Sequence, residues 1–409
     1  MEDTAKTGPG KHPRIHPMLL IVIYGNMALY GFIISMRGIS LPLIKNSYGA
    51  SYSEQGLMTA VISFTAVSVC ILAGIFMNRL GLKKTAVTGF ILMITGMFLI
   101  RFAGSFWMAA GIYLVMQGGF SFFEIGLNGM GVRIFTANSA MMINLLHFFF
   151  GLGSIGGPRF AGFIVNKFGL QWQMIYPLAI IPALMFFAVT ALTHFPGKIN
   201  EAAEGTAVSG KNRRSFAPAL RDPFVWIFGI IMGLSGSVEA CMVSWSGLFL
   251  SDVYGMNIET EGALFVSVFF MLYTFSRLAA GFYIEKAGYI RVTVIAGTAA
   301  LALYTASFML GRNGIVLLPV TGIFTSLIYP TMLAVSVGVF REKAQDYSSA
   351  IIVIAFILNG FVQLGFGLSN RILGPSWAFK SCVPYSAAIV ILLFVLGKMV
   401  KQRESAAGK

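Results

Sequence analysis

Acidic residues are scarce. The 409-residue chain has 15 Asp and Glu against 29 Lys and Arg, and charged residues make up 11% of it. A soluble domain is about one quarter charged, so that class is excluded. Cysteine is scarcer still. Cys70, Cys241 and Cys382 fall in or near apolar segments and form neither metal-ligand spacing nor a disulfide framework. No G-x-x-x-x-G-K-[ST] loop occurs, which argues against ATP as the driving force. No metal, no cofactor and no catalytic constellation is expected, so the chain does not read as an enzyme.

What is abundant is apolar: 57% of residues are hydrophobic. Apolar runs of roughly twenty residues recur, each able to cross a hydrocarbon core of about 30 Å as a helix. Barrel strands would be about ten residues long and would alternate. The expected fold is therefore an all-α polytopic membrane protein whose environment is the lipid bilayer. The net charge of +14 is read as Lys and Arg holding cytoplasmic loops inside, with no nucleic-acid partner. The first apolar segment follows a basic leader but runs well past twenty residues without a small-x-small cleavage site. It reads as a retained anchor.

Charged and Gly/Pro/Asn punctuation divides the chain into twelve transmembrane helices at 17–43, 54–77, 85–103, 106–132, 140–165, 172–194, 222–249, 262–284, 291–311, 314–339, 347–371 and 377–398. The longest polar stretch, 194–222, is rich in Gly, Ala and Ser with clustered basic residues, as suits a linker. The expected organisation is an N-terminal six-helix bundle (1–194), a cytoplasmic linker (195–221) and a C-terminal six-helix bundle (222–409). Of the 29 Lys and Arg, 20 fall on the side of the termini and linker. The other side holds few, such as Lys45, Lys167, Arg312 and Lys380. Both termini are thus expected in the cytoplasm of a multi-pass inner-membrane protein.

The halves repeat each other. "YGASYSEQG" (Tyr48–Gly56) matches "YGMNIETEG" (Tyr254–Gly262), each joining the first two helices of its half. "GIFMNRLGLKK" (Gly74–Lys84) matches "GFYIEKAGYIR" (Gly281–Arg291) in the pattern G-x-x-x-[N/E]-[R/K]-x-G-x-x-[K/R]. Gly151 and Gly156 are echoed by Gly360 and Gly365. Copies in parallel orientation are the arrangement of a transporter that rocks around a central site.

These loops resemble the signature loop of the major facilitator superfamily, and the resemblance spans the whole chain. It implies two pseudo-symmetric bundles, with helices one, four, seven and ten around a cavity. It also implies gating loops formed by Gly74, Asn78, Arg79, Gly81 and Lys84, and by Gly281, Glu285, Lys286, Gly288 and Arg291. In that family an acid at the fifth position pairs with a basic residue and a helix end to hold the cytoplasmic side closed. Glu285 supplies it in the second half, whereas Asn78 takes its place in the first.

Helical spacing gathers the polar residues into stripes. Gln117, Ser121, Glu124 and Asn128 form one face of helix four. Asn144, His147, Gly151, Ser154 and Pro158 line helix five, and Asn26, Tyr30 and Arg37 share a face of helix one. Ser235, Glu239 and Ser246 lie on helix seven, with Trp245 beside them. Tyr273 and Arg277 lie on helix eight. Asn359, Gln363 and Asn370 lie on helix eleven. Such groups either glue helices together by hydrogen bonds or face a wet cavity. Arg37, Glu124, Arg159, Glu239 and Arg277 are the candidate intramembrane charges. They can form one salt-bridged network, or leave an Arg free for an anionic substrate group.

"FFEIGLNGMG" and "NLLHFFFGLGSIGGPRFAG" (Asn144–Gly162) resemble the fucose-permease-like branch of the superfamily. The resemblance makes Glu124 the proton-coupling acid, with Glu239 in reserve and His147 able to share the proton. Asn128, Asn144 and His147 then line a substrate path, to which the stripes add Asn26, Tyr30, Arg37, Gln117, Trp245, Tyr273, Arg277, Asn359 and Gln363. Sugar transporters of that branch often carry a second acid on helix one, where this chain has Arg37. The glycine run of helix five also matches the antiporter motif of proton-coupled drug exporters, with Arg159 as a departure. The expected function is secondary active transport by alternating access: a monomer taking up a small polar organic solute (a sugar, sugar acid or other organic anion) with H⁺. The alternative is proton-antiport export of drugs or amphipathic metabolites.

Overall fold

The computed structural model describes residues 17–134, 139–193 and 217–407. Among the described residues the regular structure is entirely helical. Twelve helices are long and apolar enough to cross a bilayer. They are α1 (Met18–Ser47), α2 (Tyr52–Met77), α3 (Leu82–Phe102), α4 (Phe106–Met130), α5 (Leu145–Asn166), α6 (Trp172–Leu192), α7 (Pro223–Ser244), α8 (Ile258–Ala280), α9 (Tyr289–Val320), α10 (Gly322–Lys343), α11 (Asp346–Leu373) and α12 (Pro375–Arg403). The chain is thus an all-α, multi-pass membrane protein. Most of the linker lies outside the described residues.

The expected break between helices nine and ten is a 3₁₀ turn, Gly311–Val316, where the Ser307 hydroxyl donates to the Gly314 carbonyl at 2.8 Å. One further helical turn, Leu317–Val320, follows before α10.

The internal repeat is written in the backbone. Gly49 and Gly255 are both left-handed, at φ 60° and 67°. Gly81 and Gly288, the central glycines of the two signature loops, sit at φ 86° and 87°. A side chain is strained there, which explains glycine at both. The helices that follow the first pair of turns are capped alike. Ser51 accepts from the Glu54 amide while Glu54 reaches back to Ser51, and Asn257 accepts from the Thr260 amide at 2.8 Å. Two helices are interrupted at matching depth. A turn at Met36 separates Asn26–Ser35 from Arg37–Ser47, and one at Trp245 separates Pro223–Ser244 from Ser246–Tyr254. Paired interruptions in the two halves of a transporter point to its binding region.

One end of the bundle carries the α1–α2 and α7–α8 connections and is termed the loop face; the other is the terminal face. Near the loop face the halves are in backbone contact. A Cβ on Gly56 would lie 2.7 Å from the Gly367 Cα, and one on Gly162 would lie 1.9 Å from the Glu259 carbonyl. The Tyr52 hydroxyl donates to Asp252, and the Lys45 ammonium stands 4.2 Å above the Tyr52 ring. Contacts continue to mid-depth, where Phe64 meets Phe361 and Phe148 meets Phe275 with ring centroids 5.5 and 5.8 Å apart. The α5 glycines also serve packing within the N-terminal half: Cβ atoms on Gly153 and Gly157 would lie 1.8 and 2.1 Å from the Ala28 and Phe32 carbonyls of α1.

Candidate functional site

Two carboxylates are each held by a tyrosine. In the N-terminal half the Tyr30 hydroxyl of α1 donates to Glu124 Oε2 of α4 at 2.9 Å. The Tyr30 ring is packed between Phe120, Phe123 and Phe150, with centroids 5.7, 6.1 and 5.2 Å away. Phe120 and Phe123 come from the turn of α4 that carries the acid, and Phe150 of α5 closes the box from the other side.

In the C-terminal half the Tyr273 hydroxyl of α8 donates to Glu239 Oε2 of α7, also at 2.9 Å. Arg277, one turn along α8, donates from Nη2 to the same hydroxyl at 2.5 Å and from Nε to the Ser326 carbonyl at 3.3 Å. Its guanidinium lies 4.6 Å from the Tyr273 ring centroid. The i, i+4 spacing makes this relay: Arg277 to Tyr273 to Glu239.

Glu239, Tyr273 and Arg277 form part of the wall of a cavity of about 260 Å³ between the halves. Across it stands Arg37, at the α1 interruption. Asn359 and Ser35 add an amide and a hydroxyl to the wall, Tyr329 adds a further hydroxyl on an aromatic ring, and Phe150, Phe270 and Phe356 add apolar aromatic area. Arg37 lies within electrostatic range of both Glu124 and Glu239. The Arg37 Nε is buried without a hydrogen-bond partner. A second cavity of about 20 Å³ joins His147 and Gly151 of α5 to Thr274 and Arg277 of α8. It has room for one water, and the Thr274 hydroxyl beside it is buried and unpartnered.

The cavity wall gathers some of the expected residues and not others. Arg37, Tyr273, Arg277, Asn359 and Glu239 lie on it, and His147 lines the smaller cavity. Asn26 is fully buried and donates to the Thr190 hydroxyl of α6 at 2.7 Å. That bond glues α1 to α6, while the Asn26 Oδ1 is buried without a partner. Trp245 is buried too; its indole N–H donates to Gln363 Oε1 at 2.8 Å, and the Gln363 amide donates to Asn359 Oδ1 at 3.3 Å. Trp245 and Gln363 therefore stand behind Asn359 rather than on the wall. Tyr30 is committed to Glu124. Gln117 is buried and Asn128 half-buried on α4, and neither is among the lining residues. The Asn144 side chain lies outside the described residues. Arg159, read from sequence as an intramembrane charge, is exposed on the outer surface of α5 along the face of Leu152 and Phe163; the expected network of five charges does not include it.

The gating-loop residues also divide. Arg79, Lys84, Lys286 and Arg291 are exposed, and Gly281 begins the turn that ends α8. Glu285 accepts from the Tyr289 hydroxyl at 3.0 Å, a bond within its own loop. The side chains of Gly74 and Asn78 lie outside the described residues. Lys83, one residue before Lys84, donates to the Ala191 and Thr193 carbonyls at 2.7 and 2.9 Å and so caps α6. Sequence reasoning placed it only as an inner-loop cation. It also missed Tyr329, Phe270 and Phe356, which carry no polar periodicity.

The two readings of Asn26 make different predictions. As glue, Asn26→Ala is expected to lower stability by about 0.6–1.7 kcal/mol and leave solute affinity unchanged. Thermal unfolding together with a binding titration separates the readings, and a loss of affinity would place Asn26 in the site.

Residues 23–362 match the family model described as Major Facilitator Superfamily. Among curated relatives, the protein TsgA homolog of Buchnera aphidicola subsp. Schizaphis graminum is 20% identical over 399 residues, covering 93% of this chain and 95% of that protein. Protein TsgA of Escherichia coli strain HS is 22% identical over 402 residues, covering 92% and 94%. Among solved structures, the E. coli fucose:proton symporter FucP superposes with a TM-score of 0.65 at 18% identity, covering 93% of this chain and 98% of that one. The nucleoside transporter NupG superposes with a TM-score of 0.74 at 15% identity, covering 93% and 99%.

Proposed function

We propose a proton-coupled transport cycle on one established premise: the chain belongs to the Major Facilitator Superfamily, and it is a membrane transporter rather than an enzyme. In this reading the chain acts as a monomer in the inner membrane and takes up a small polar organic solute together with H⁺. Residues 1–194 and 222–409 rock against each other as two bodies joined by the 195–221 linker.

The positive-inside distribution supports placing the termini, and hence the terminal face, in the cytoplasm. The halves meet from the loop face to mid-depth, so the state described here corresponds to a carrier closed to the outside. Glu124 and Glu239 are the coupling acids, and His147 lies at the edge of the same charged region. Arg37, Tyr273, Arg277 and Asn359 form the solute site. Tyr30, Asn128 and Gln117 border Glu124, and Trp245 and Gln363 orient Asn359.

The observation that carries the reading is the Glu239–Tyr273–Arg277 relay on a cavity wall shared by both halves. A carboxyl beside a cavity and next to a cation can exchange a proton with whatever enters. The printed description of FucP as a fucose:proton symporter supports the same coupling. Export by proton antiport draws less support, because packing of Gly153 and Gly157 on the α1 backbone accounts for the glycine run without it.

Glu124→Gln and Glu239→Gln are expected to abolish proton-driven accumulation while counterflow exchange survives. The assay uses proteoliposomes with a solute that stabilises the wild type, chosen from sugars, organic anions and lipophilic cations. Accumulation that persists in both variants refutes the coupling assignment.

A further inference from the structure

Resting on the transport reading, we propose that the central cavity takes a monoanion, a carboxylate on an apolar or aromatic body, and that Arg37 grips its carboxylate. Four observations converge on this.

The first is a vacancy in the hydrogen bonding. Among the described residues, Arg37 lines the cavity and makes no hydrogen bond there, and its Nε, buried behind the wall, has no acceptor. A buried donor left unpaired is costly, more so on a charged group. A carboxylate supplies two acceptors in the planar geometry that a guanidinium fork matches.

The second is that the other charged groups are committed. Arg277 already donates to the Tyr273 hydroxyl and the Ser326 carbonyl, and Glu239 accepts from Tyr273. Glu124 accepts from Tyr30. Arg37 is left as the wall cation with a free fork.

The third is what the wall lacks. A sugar needs a matched partner for each hydroxyl, because groups left unpaired in a desolvated site cost affinity. Asn359 is the one amide among the described lining residues, and two others expected there are engaged elsewhere: Asn26 with Thr190, and Gln363 with Trp245. Phe150, Phe270, Tyr329 and Phe356 offer apolar area instead. The volume of about 260 Å³ falls below the roughly 300–1,000 Å³ usual for drug-sized ligands, which favours a small solute.

The fourth is charge. The two arginines Arg37 and Arg277 match the two acids Glu124 and Glu239 in number. With all four charged, the carrier without solute or proton is neutral in its core. One bound proton makes the core positive, and one monoanion restores neutrality. A net charge enclosed between closing halves is penalised by desolvation. The empty and fully loaded forms then cross readily, and the half-loaded forms do not. One-to-one symport follows from this balance.

The test uses the purified full-length chain and thermal shifts with benzoate, mandelate, benzamide, mandelamide, gluconate, L-fucose and tetraphenylphosphonium. Benzoate or mandelate is expected to stabilise, while its amide and the two polyhydroxylated solutes do not. Arg37→Gln is expected to weaken the stabilising carboxylate about tenfold or more, the scale of one charge-assisted bond; Arg159→Gln, on the outer surface, is expected to leave it unchanged. The acid-against-amide comparison needs no variant, so it decides even if Arg37→Gln fails to fold. Equal shifts with acid and amide overturn the inference. So do no shift with either carboxylate, a shift with L-fucose or gluconate alone, or unchanged affinity in a folded Arg37→Gln. In proteoliposomes, mandelate counterflow is expected. Anion binding with no counterflow of any solute in the panel sinks the transport reading and leaves the ligand class standing. Counterflow of L-fucose alone sinks the ligand class and leaves transport standing.

Discussion

Gly56→Leu is expected to abolish net uptake and to push the two halves apart at the loop face. Gly56 of α2 and Gly367 of α11 lie backbone to backbone. A Cβ on Gly56 would fall 2.7 Å from the Gly367 Cα, and one on Gly367 would fall 2.5 Å from the Gly56 Cα. Neither obstacle is a side chain that can rotate away, so leucine forces the helices to separate. A carrier that cannot seal one face cannot complete a cycle. Spin labels at Ser47 and Thr260, one on each half at that face, are expected to report a longer distance than in the wild type. An unchanged distance with unchanged uptake refutes the loop-face seal.

The neighbouring residue works in the opposite direction. Gln55 is fully buried, and both polar atoms of its amide lack partners. An unsatisfied buried group costs roughly 1–3 kcal/mol, and the closed loop face carries that cost. Gln55→Leu removes it. The spin-label distance is expected to stay short or shorten, the protein to melt higher, and the cycle to slow because opening becomes harder.

Arg277→Met is expected to be strongly destabilising, and Glu239→Gln in the same chain to restore most of what is lost. Removing one partner of a buried charge pair costs about 3–5 kcal/mol, because the other charge is left uncompensated. Glu239 and Arg277 communicate through the shared Tyr273 hydroxyl. Arg277 also lies on a cavity wall that water can reach, which puts the expected loss at the lower end, about 3 kcal/mol. The double variant removes the second charge as well. Melting temperatures of the wild type, both single variants and the double variant close the cycle. If the double variant is no more stable than Arg277→Met alone, the relay is held by packing on the Tyr273 ring rather than by charge.

Much of the fold could be read from the sequence because membranes make few demands and state them strongly. Apolar length marks each span, and a glycine at positive φ marks each tight turn. Gly81 and Gly288 betray the repeat for that reason: the turn they make has no other good solution. The site was legible on the faces of α7, α8 and α11, where Glu239, Tyr273, Arg277 and Asn359 follow helical spacing and line one cavity.

Spacing fixes a face but not the helix opposite it. Asn26 looked like a cavity residue until Thr190 proved to stand across from it. Trp245 and Gln363 satisfy each other for the same reason. The aromatic wall was invisible, since any of the chain's 37 phenylalanines could as well meet lipid. Arg159 drew attention through its place in a glycine motif, yet its register with Leu152 and Phe163 puts it on the outside.

The cavity is unevenly shared. Of its 17 lining residues, four belong to the N-terminal half: Ile34, Ser35, Arg37 and Phe150. The remainder come from α7, α8, α10 and α11. The C-terminal half is thus a cup and the N-terminal half an arm laid across its mouth. In the proposed cycle, a solute in such a cup travels with one body while the other swings. Its contacts with Tyr329, Phe356 and Asn359 persist through the swing, and its grip on Arg37 is the one renewed at each turn. The cup then keeps the solute's body, and a single arginine on the arm adds the grip that is made and released with each swing.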